Sequence, residues 1–300
     1  MGKGKVAQSY GRRQAFTGYL FISPWILGFL FFNLLPILAV FYLSCTNYSV
    51  GSDYRWIGLT NYQRIFVRDR SFSISVYNTL YYTAFAVPLS VGCGFLLALL
   101  LNSKVRGITY FRTIFYVPSI MPVVATTMVF LWMFHPNLGV LNYFVQILGG
   151  KPIPWLTSPE WAKPSLILMS LWGVGGGMII YLAGLQNIPE QLYEAARIDG
   201  ASGLRQFWHI TIPMMTPTIF FNLIMGLIGA FQVFTQAFIM TNGGPLQSTL
   251  FYMLHLYNNA FSFFRMGYAS ALAVMLFLTI LVFTVIVLNS AKWWVHDEIE

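Results

Sequence analysis

The sequence predicts an all-α, polytopic membrane protein with six transmembrane helices. Three observations predict it. Hydrophobic residues make up 57% of the 300-residue chain and charged residues only 9%, whereas a soluble domain carries about 25% charge. Six stretches reach the ~20 mostly apolar residues needed to cross the hydrocarbon, and none of the six contains Asp, Glu, Lys, Arg or His. Aromatic residues, at 18%, suit belts of Trp and Tyr at the two interfaces.

The first stretch, residues 19–43, follows Lys3, Lys5, Arg12 and Arg13. It is longer than the ~7–15-residue apolar core of a secretory signal and ends without a small-residue cleavage site, so it is expected to be retained as a span. The loop after it carries Trp56, Ile57, Leu59, Tyr62, Ile65 and Phe66 among Arg55, Arg64, Arg68 and Arg70, a pattern expected along the membrane interface. The remaining stretches are residues 76–101, 114–134, 164–185, 213–240 and 269–288. Prolines 24, 36, 88, 118, 122, 213 and 217 fall in or at the ends of spans, where neighbouring helices re-satisfy the freed backbone groups. Pro118 and Pro122 make the third stretch the least regular.

Six spans place both termini on one side. The segments on that side hold Lys3, Lys5, Arg12, Arg13, Lys104, Arg106, Arg112, Arg197, Arg205 and Lys292. The opposite set holds fewer Lys and Arg, so the termini are expected in the cytoplasm. The net charge of +8 then reflects residues near headgroups rather than nucleic-acid binding. Cys45 and Cys93 fit neither a disulfide framework nor a metal site. His135, His209, His255 and His296 lack metal-ligand spacing. Asp297, Glu298 and Glu300 form a solvated acidic tail. The expected organisation is a cytoplasmic segment over residues 1–18, a six-helix domain over 19–290 and a cytoplasmic tail over 291–300.

The segment between the fourth and fifth spans is distinctive. It reads Ile188-Pro189-Glu190-Gln191-Leu192-Tyr193-Glu194-Ala195-Ala196-Arg197-Ile198-Asp199-Gly200-Ala201 and continues through Phe207, Ile210, Pro213 and Pro217. Pro189 suits a helix first turn. Leu192, Ala195, Ala196 and Asp199 share one face at helical spacing. Gly200 suits the left-handed residue that ends a helix, and Ser202 can cap the next. Physics alone reads either a plain connecting helix or one whose small Ala residues let it fit a partner's groove.

The spacing Glu194-Ala195-Ala196, Asp199-Gly200-Ala201, Phe207, Ile210, Pro213, Pro217 resembles the EAA loop of binding-protein-dependent ABC importer permeases. Gly184 to Pro189, Thr241-Asn242-Gly243-Gly244-Pro245 and Trp56 to Tyr62 are similar to the carbohydrate-uptake branch, which includes maltose-type and glycerol-phosphate-type permeases. The resemblance covers nearly the whole chain. It implies the ABC type I importer permease fold in its shorter, six-span form, with a coupling loop over residues 186–217. It places the docking of an ATPase on Glu194, Ala195, Ala196, Asp199 and Gly200. The implied partners are an ATP-binding cassette ATPase dimer, a second and different permease subunit, and an extracytoplasmic solute-binding protein. The implied location is a bacterial or archaeal inner membrane. ATP and Mg would be bound by the ATPase, with no cofactor in this chain.

Substrate-path candidates lie on spans four and five. Trp172 offers a face for a sugar ring, and Gly173, Gly175, Gly176 and Gly177 leave space beside it. Gly226, Gly229, Ala230 and Val233 repeat at helical spacing, and Gln232 and Gln236 add donors and acceptors one turn apart. The resemblance puts Trp172, Gly173, Gly176, Gly226, Gly229, Ala230 and Val233 where the maltose-type permease lines its sugar site, with smaller residues here at several positions. Small residues at this spacing also serve close helix packing.

The chain is expected to have no ATPase site of its own. Gly149-Gly150-Lys151-Pro152 lacks the first Gly and the hydroxyl of a phosphate-binding loop. A proton-coupled transporter would need an ionisable residue within a span, and a membrane enzyme would need a cluster of acid, base or metal ligands. Uncharged spans favour a neutral saccharide over the alternatives, a sugar phosphate or sugar acid.

Overall fold

The computed structural model describes residues 17–52, 54–103 and 105–295. The expectations resting on Lys3, Lys5, Arg12, Arg13, Lys104, His296, Asp297, Glu298 and Glu300 lie outside the described residues. Helices α1 (Thr17–Ser44), α2 (Thr60–Val67), α3 (Arg70–Leu101), α4 (Ile108–Ile120), α5 (Val123–Met133) and α6 (Val140–Ile147) make up the first half. They are followed by α7 (Pro159–Gly173), α8 (Gly175–Asn187), α9 (Glu190–Ile198), α10 (residues 203–231), α11 (Thr235–Met240), α12 (Tyr252–Tyr257) and α13 (Met266–Trp294). Four segments are long and apolar enough to span a bilayer: α1, α3, Gly203–Met240 and α13. The bent pairs α4–α5 and α7–α8 bring the total to six when each counts as one span. The spans outrun their apolar cores, so Arg70, Arg112, Lys163 and Lys292 sit in the end turns.

The third span departs most from expectation. It starts at Ile108 rather than Ile114 and turns by 97° between Ile120 and Val123. The cause is local. Pro122 has no N–H, and its ring disfavours helical backbone in the residue before it. Met121 accordingly adopts φ −68°, ψ 138°. A gentler bend of 46° separates α7 from α8. There Gly175 lies against the Phe115 carbonyl so closely that a Cβ would collide with it; this glycine serves helix contact.

Two π-helical turns have a common cause. Leu30–Leu34 precedes Pro36 by two residues, and Phe207–Thr211 precedes Pro213 by two. A proline ring clashes with the carbonyl four residues back. Widening the turn to i→i+5 bonding relieves that clash, and Leu35 and Ile212 donate their N–H to Leu30 and Phe207.

The chain divides into two units. The smaller consists of residues up to Ile65 with Asn259–Met275. Within it the Trp56–Tyr62 segment folds back on the end of α1. Asn61, buried, donates from Nδ2 to the Ser44 and Thr46 carbonyls at 2.8 and 2.7 Å. Tyr62 donates to Ser44 Oγ at 2.8 Å.

The larger unit, Phe66–Asn258 with Leu276 onward, packs around α3. Two apolar clusters lie along that helix. One joins Tyr82, Ala86 and Val87 to Phe130, Phe134, Leu166 and Phe251. The other joins Phe95, Ala98 and Leu101 to Met178, Tyr181, Leu185, Ile188 and Met215. The N-terminal end of α3 is fixed by polar contacts. Asp69 accepts from the Phe72 N–H at 3.1 Å and pairs with His255 Nε2 at 2.9 Å. Asn78 donates to the Gln247 and Leu250 carbonyls, and Thr79 accepts from the Tyr252 N–H. These bonds hold the segment between α11 and α12 against α3.

Candidate functional site: a cleft at a broken helix and a helix-turn-helix loop

The fifth span breaks at Gln232–Phe234, between α10 and α11. Backbone outside a helix is tolerated at membrane depth only where it is buried in protein or lines a cavity. Here it lines one. A cleft of about 320 Å³ opens at the break, walled by α3, α10 and α11 with Val123 of α5 and Ser170 of α7. Ala86, one of its lining residues, lies about midway along α3, roughly 24 Å from its N-terminal end at 1.5 Å per residue.

Gly226, Gly229, Ala230, Gln232, Val233 and Gln236 all line the cleft. Trp172, Gly173 and Gly176 stand outside its lining: Trp172 packs its ring edge-on to Phe130 at 5.5 Å, and Gly176 faces Ser119. The structure adds Tyr82 and Ser90 from α3, Ser170 from α7 and Thr235 at the start of α11. Nothing in the sequence of their helices singled these out. A Tyr or Ser in a span has many uses, and only the fold brings this face of α3 to the break in span five. A Cβ at Gly229 would meet open space, and one at Gly226 only Val87 at 3.5 Å. The polar groups of the lining are hydroxyls and amides, with no carboxylate, ammonium, guanidinium or imidazole. Such a set can exchange hydrogen bonds with a neutral polyhydroxylated solute.

The second site is the loop after α8. Pro189 stands at the N-cap of α9, one position before its first turn. Gly200 ends α9 at φ +74°, and Ser202 Oγ caps α10 by accepting from the Arg205 N–H at 3.4 Å. Of the four residues that share a face by helical spacing, Leu192, Ala195 and Asp199 are exposed and Ala196 is partly buried. Tyr193 and Ala196 are the partly buried residues, whereas Leu192, Glu194, Ala195, Arg197, Ile198, Asp199 and Gly200 are exposed. Ile188, just before the helix, and Ile210, beyond the next turn, pack with Tyr193 and Phe207 in the α3–α8 cluster. The loop therefore lies at the C-terminal end of α3, the end opposite Asp69. Ala195, Asp199 and Gly200 present backbone and small side chains outward.

A membrane protein with a span broken around a neutral polar cleft, and a helical loop projecting at one end, is a solute permease in class. Residues 90–295 match the model of the binding-protein-dependent transport system inner membrane component family, and the chain belongs to that family. It is 40% identical over 290 residues to the probable ABC transporter permease protein YesP of Bacillus subtilis (strain 168), covering 96% of this chain and 94% of the relative. It is 32% identical to the arabinooligosaccharides transport system permease protein AraP of the same organism, covering 90% and 87%. Among solved structures it matches a bacterial ABC transporter involved in the import of the acidic polysaccharide alginate, with a TM-score of 0.83 and 23% identity over 95% of this chain and 98% of that one. That likeness establishes the ABC importer permease fold.

Proposed function

We propose that this chain is the permease subunit of an ATP-driven importer that passes a neutral saccharide, delivered by an extracytoplasmic binding protein, through the cleft at Gln232–Phe234. The observation that carries the substrate class is the cleft itself, whose polar lining is wholly uncharged. The relation to an arabinooligosaccharide permease supports it. A sugar phosphate or sugar acid would enter such a lining without a compensating charge.

Energy enters at the loop over residues 186–217 of the permease domain, residues 19–290. Glu194, Ala195, Ala196, Asp199 and Gly200 form the surface that docks on a separate ATPase dimer, which holds the ATP and Mg. The exposure of Ala195, Asp199 and Gly200 supports this role. A second, different permease subunit completes the translocation path. Both termini and the docking loop face the cytoplasm.

Two measurements test this reading. Purification of the tagged chain from its native membrane is expected to bring a soluble ATPase with it. A single Cys at Ser202, in a chain free of Cys45 and Cys93, is expected to label from the cytoplasmic side. Labelling from outside alone, or purification without an ATPase, contradicts the reading.

A further inference from the structure

The outward surface of α9 is the part offered to the ATPase, but docking moves a span only if α9 is tied to it. Tyr193 Oη and Thr211 Oγ1 lie 2.9 Å apart, and either hydroxyl can donate. Thr211 is 7% exposed. It closes the π turn Phe207–Thr211 at the start of the fifth span. Tyr193 is the α9 residue that joins the apolar cluster, beside Phe207 and Ile210. Every other residue of α9 except Ala196 is exposed. The Gly200 turn that joins α9 to α10 is closed by the Ala201 N–H donating to the Ala196 carbonyl at 2.8 Å, and Gln206 Nε2 donates to the Ala201 carbonyl at 2.9 Å.

We infer that the Tyr193–Thr211 hydrogen bond is a mechanical link between the docking helix and the fifth span, helping α9 and the membrane part of α10 move as one body. Tyr193 and Thr211 are thus positioning residues for transport, acting on the cleft through α10, whose far end carries Gly226, Gly229 and Ala230. The link lies at the edge of the apolar cluster, where the low local dielectric strengthens a hydrogen bond. The π turn belongs to the device. It inserts one extra residue, about 100° of rotation, between the loop and the span, and so sets which side of the helix Thr211 occupies. This inference rests on the docking role proposed for α9.

The test uses the complete transporter, with Cys45 and Cys93 replaced and spin labels at Gln191→Cys on α9 and Phe221→Cys on α10, both exposed positions. The distance between them is measured without nucleotide and after trapping with Mg-ATP and vanadate. One-body motion predicts the same distance in both states. Tyr193→Phe and Thr211→Val are each expected to let it shift or broaden by about 2 Å or more, the scale of helix sliding at interfaces. Thr211→Ser, which keeps the hydroxyl, is expected to behave as wild type. A wild-type distance that changes between the states, variants that match wild type, or a Thr211→Ser as defective as Thr211→Val each overturns the link. Loss of the ATPase from the wild-type complex removes the docking reading and this inference with it. Intact assembly with any of the three distance results removes the inference alone.

Discussion

Gly200 holds φ +74° at the end of α9, with no atom within 4 Å of where a Cβ would project. A substitution there is penalised by backbone conformation alone, since the left-handed region costs an L-residue ~1–2 kcal/mol and a β-branched one more. Gly200→Val is therefore expected to insert normally but to lose transport and binding-protein-stimulated ATP hydrolysis, read in reconstituted membranes against expression level. Ala195→Leu sits on exposed helix surface and is expected to change thermal stability by under ~0.5 kcal/mol while weakening co-purification of the ATPase. His255 gives a residue-scale pH effect. Burial pushes its imidazole below the ordinary value, and the Asp69 carboxylate offsets this only in part. The fold thus favours the neutral form, with Nε2–H donating to Asp69. Above about pH 6.5 folded and unfolded chains are both neutral there. As pH falls below that, the unfolded chain protonates first, and stability declines until the folded imidazole also takes up a proton. His255→Gln is expected to flatten the slope of thermal midpoint against pH between about 5 and 7; an unchanged slope assigns it to other groups. The Gly200 turn and the Ser202 cap were legible in the sequence because both depend on a few adjacent residues.

At the scale of elements, local chemistry and distant packing part company. Pro122 announces the 97° bend through its effect on Met121, and the paired positions of Pro36 and Pro213 account for two π turns. The face that α9 buries was not legible. Helical spacing placed Leu192, Ala195, Ala196 and Asp199 together, but it is packing with Leu185, Ile188 and Ile210 that turns Tyr193 inward. The break at Gln232–Phe234 also has no Pro or Gly within it to signal it. The sequence could name most of the span-five lining but not Thr235, nor Tyr82, Ser90 and Ser170, which the fold brings to the cleft from other spans. The break makes Gly229 a sharp test. A side chain there enters open space, and leaving glycine favours the helix by up to about 1 kcal/mol. Gly229→Leu is expected to retain expression and thermal stability while cutting uptake at least tenfold. Uptake at wild-type level would place the path elsewhere.

For the whole molecule, six-span organisation followed from the distribution of charge alone, since uncharged runs of this length have few other uses. The proposed function rests on two sites at different depths of the larger unit: a neutral cleft near the middle of α3, and, at its C-terminal end, the loop proposed to dock the ATPase. ATP hydrolysed by the separate ATPase docked on the loop is expected to drive a neutral saccharide through the cleft. Uptake into proteoliposomes holding the transporter, with its binding protein outside and ATP inside, tests this most directly. Radiolabelled neutral arabinooligosaccharides and uronic-acid oligosaccharides are compared side by side. The account predicts ATP-dependent uptake of neutral sugar, abolished by Gly229→Leu and Gly200→Val alike. Preference for the acidic sugars, or uptake that follows a proton gradient and ignores ATP, would contradict it.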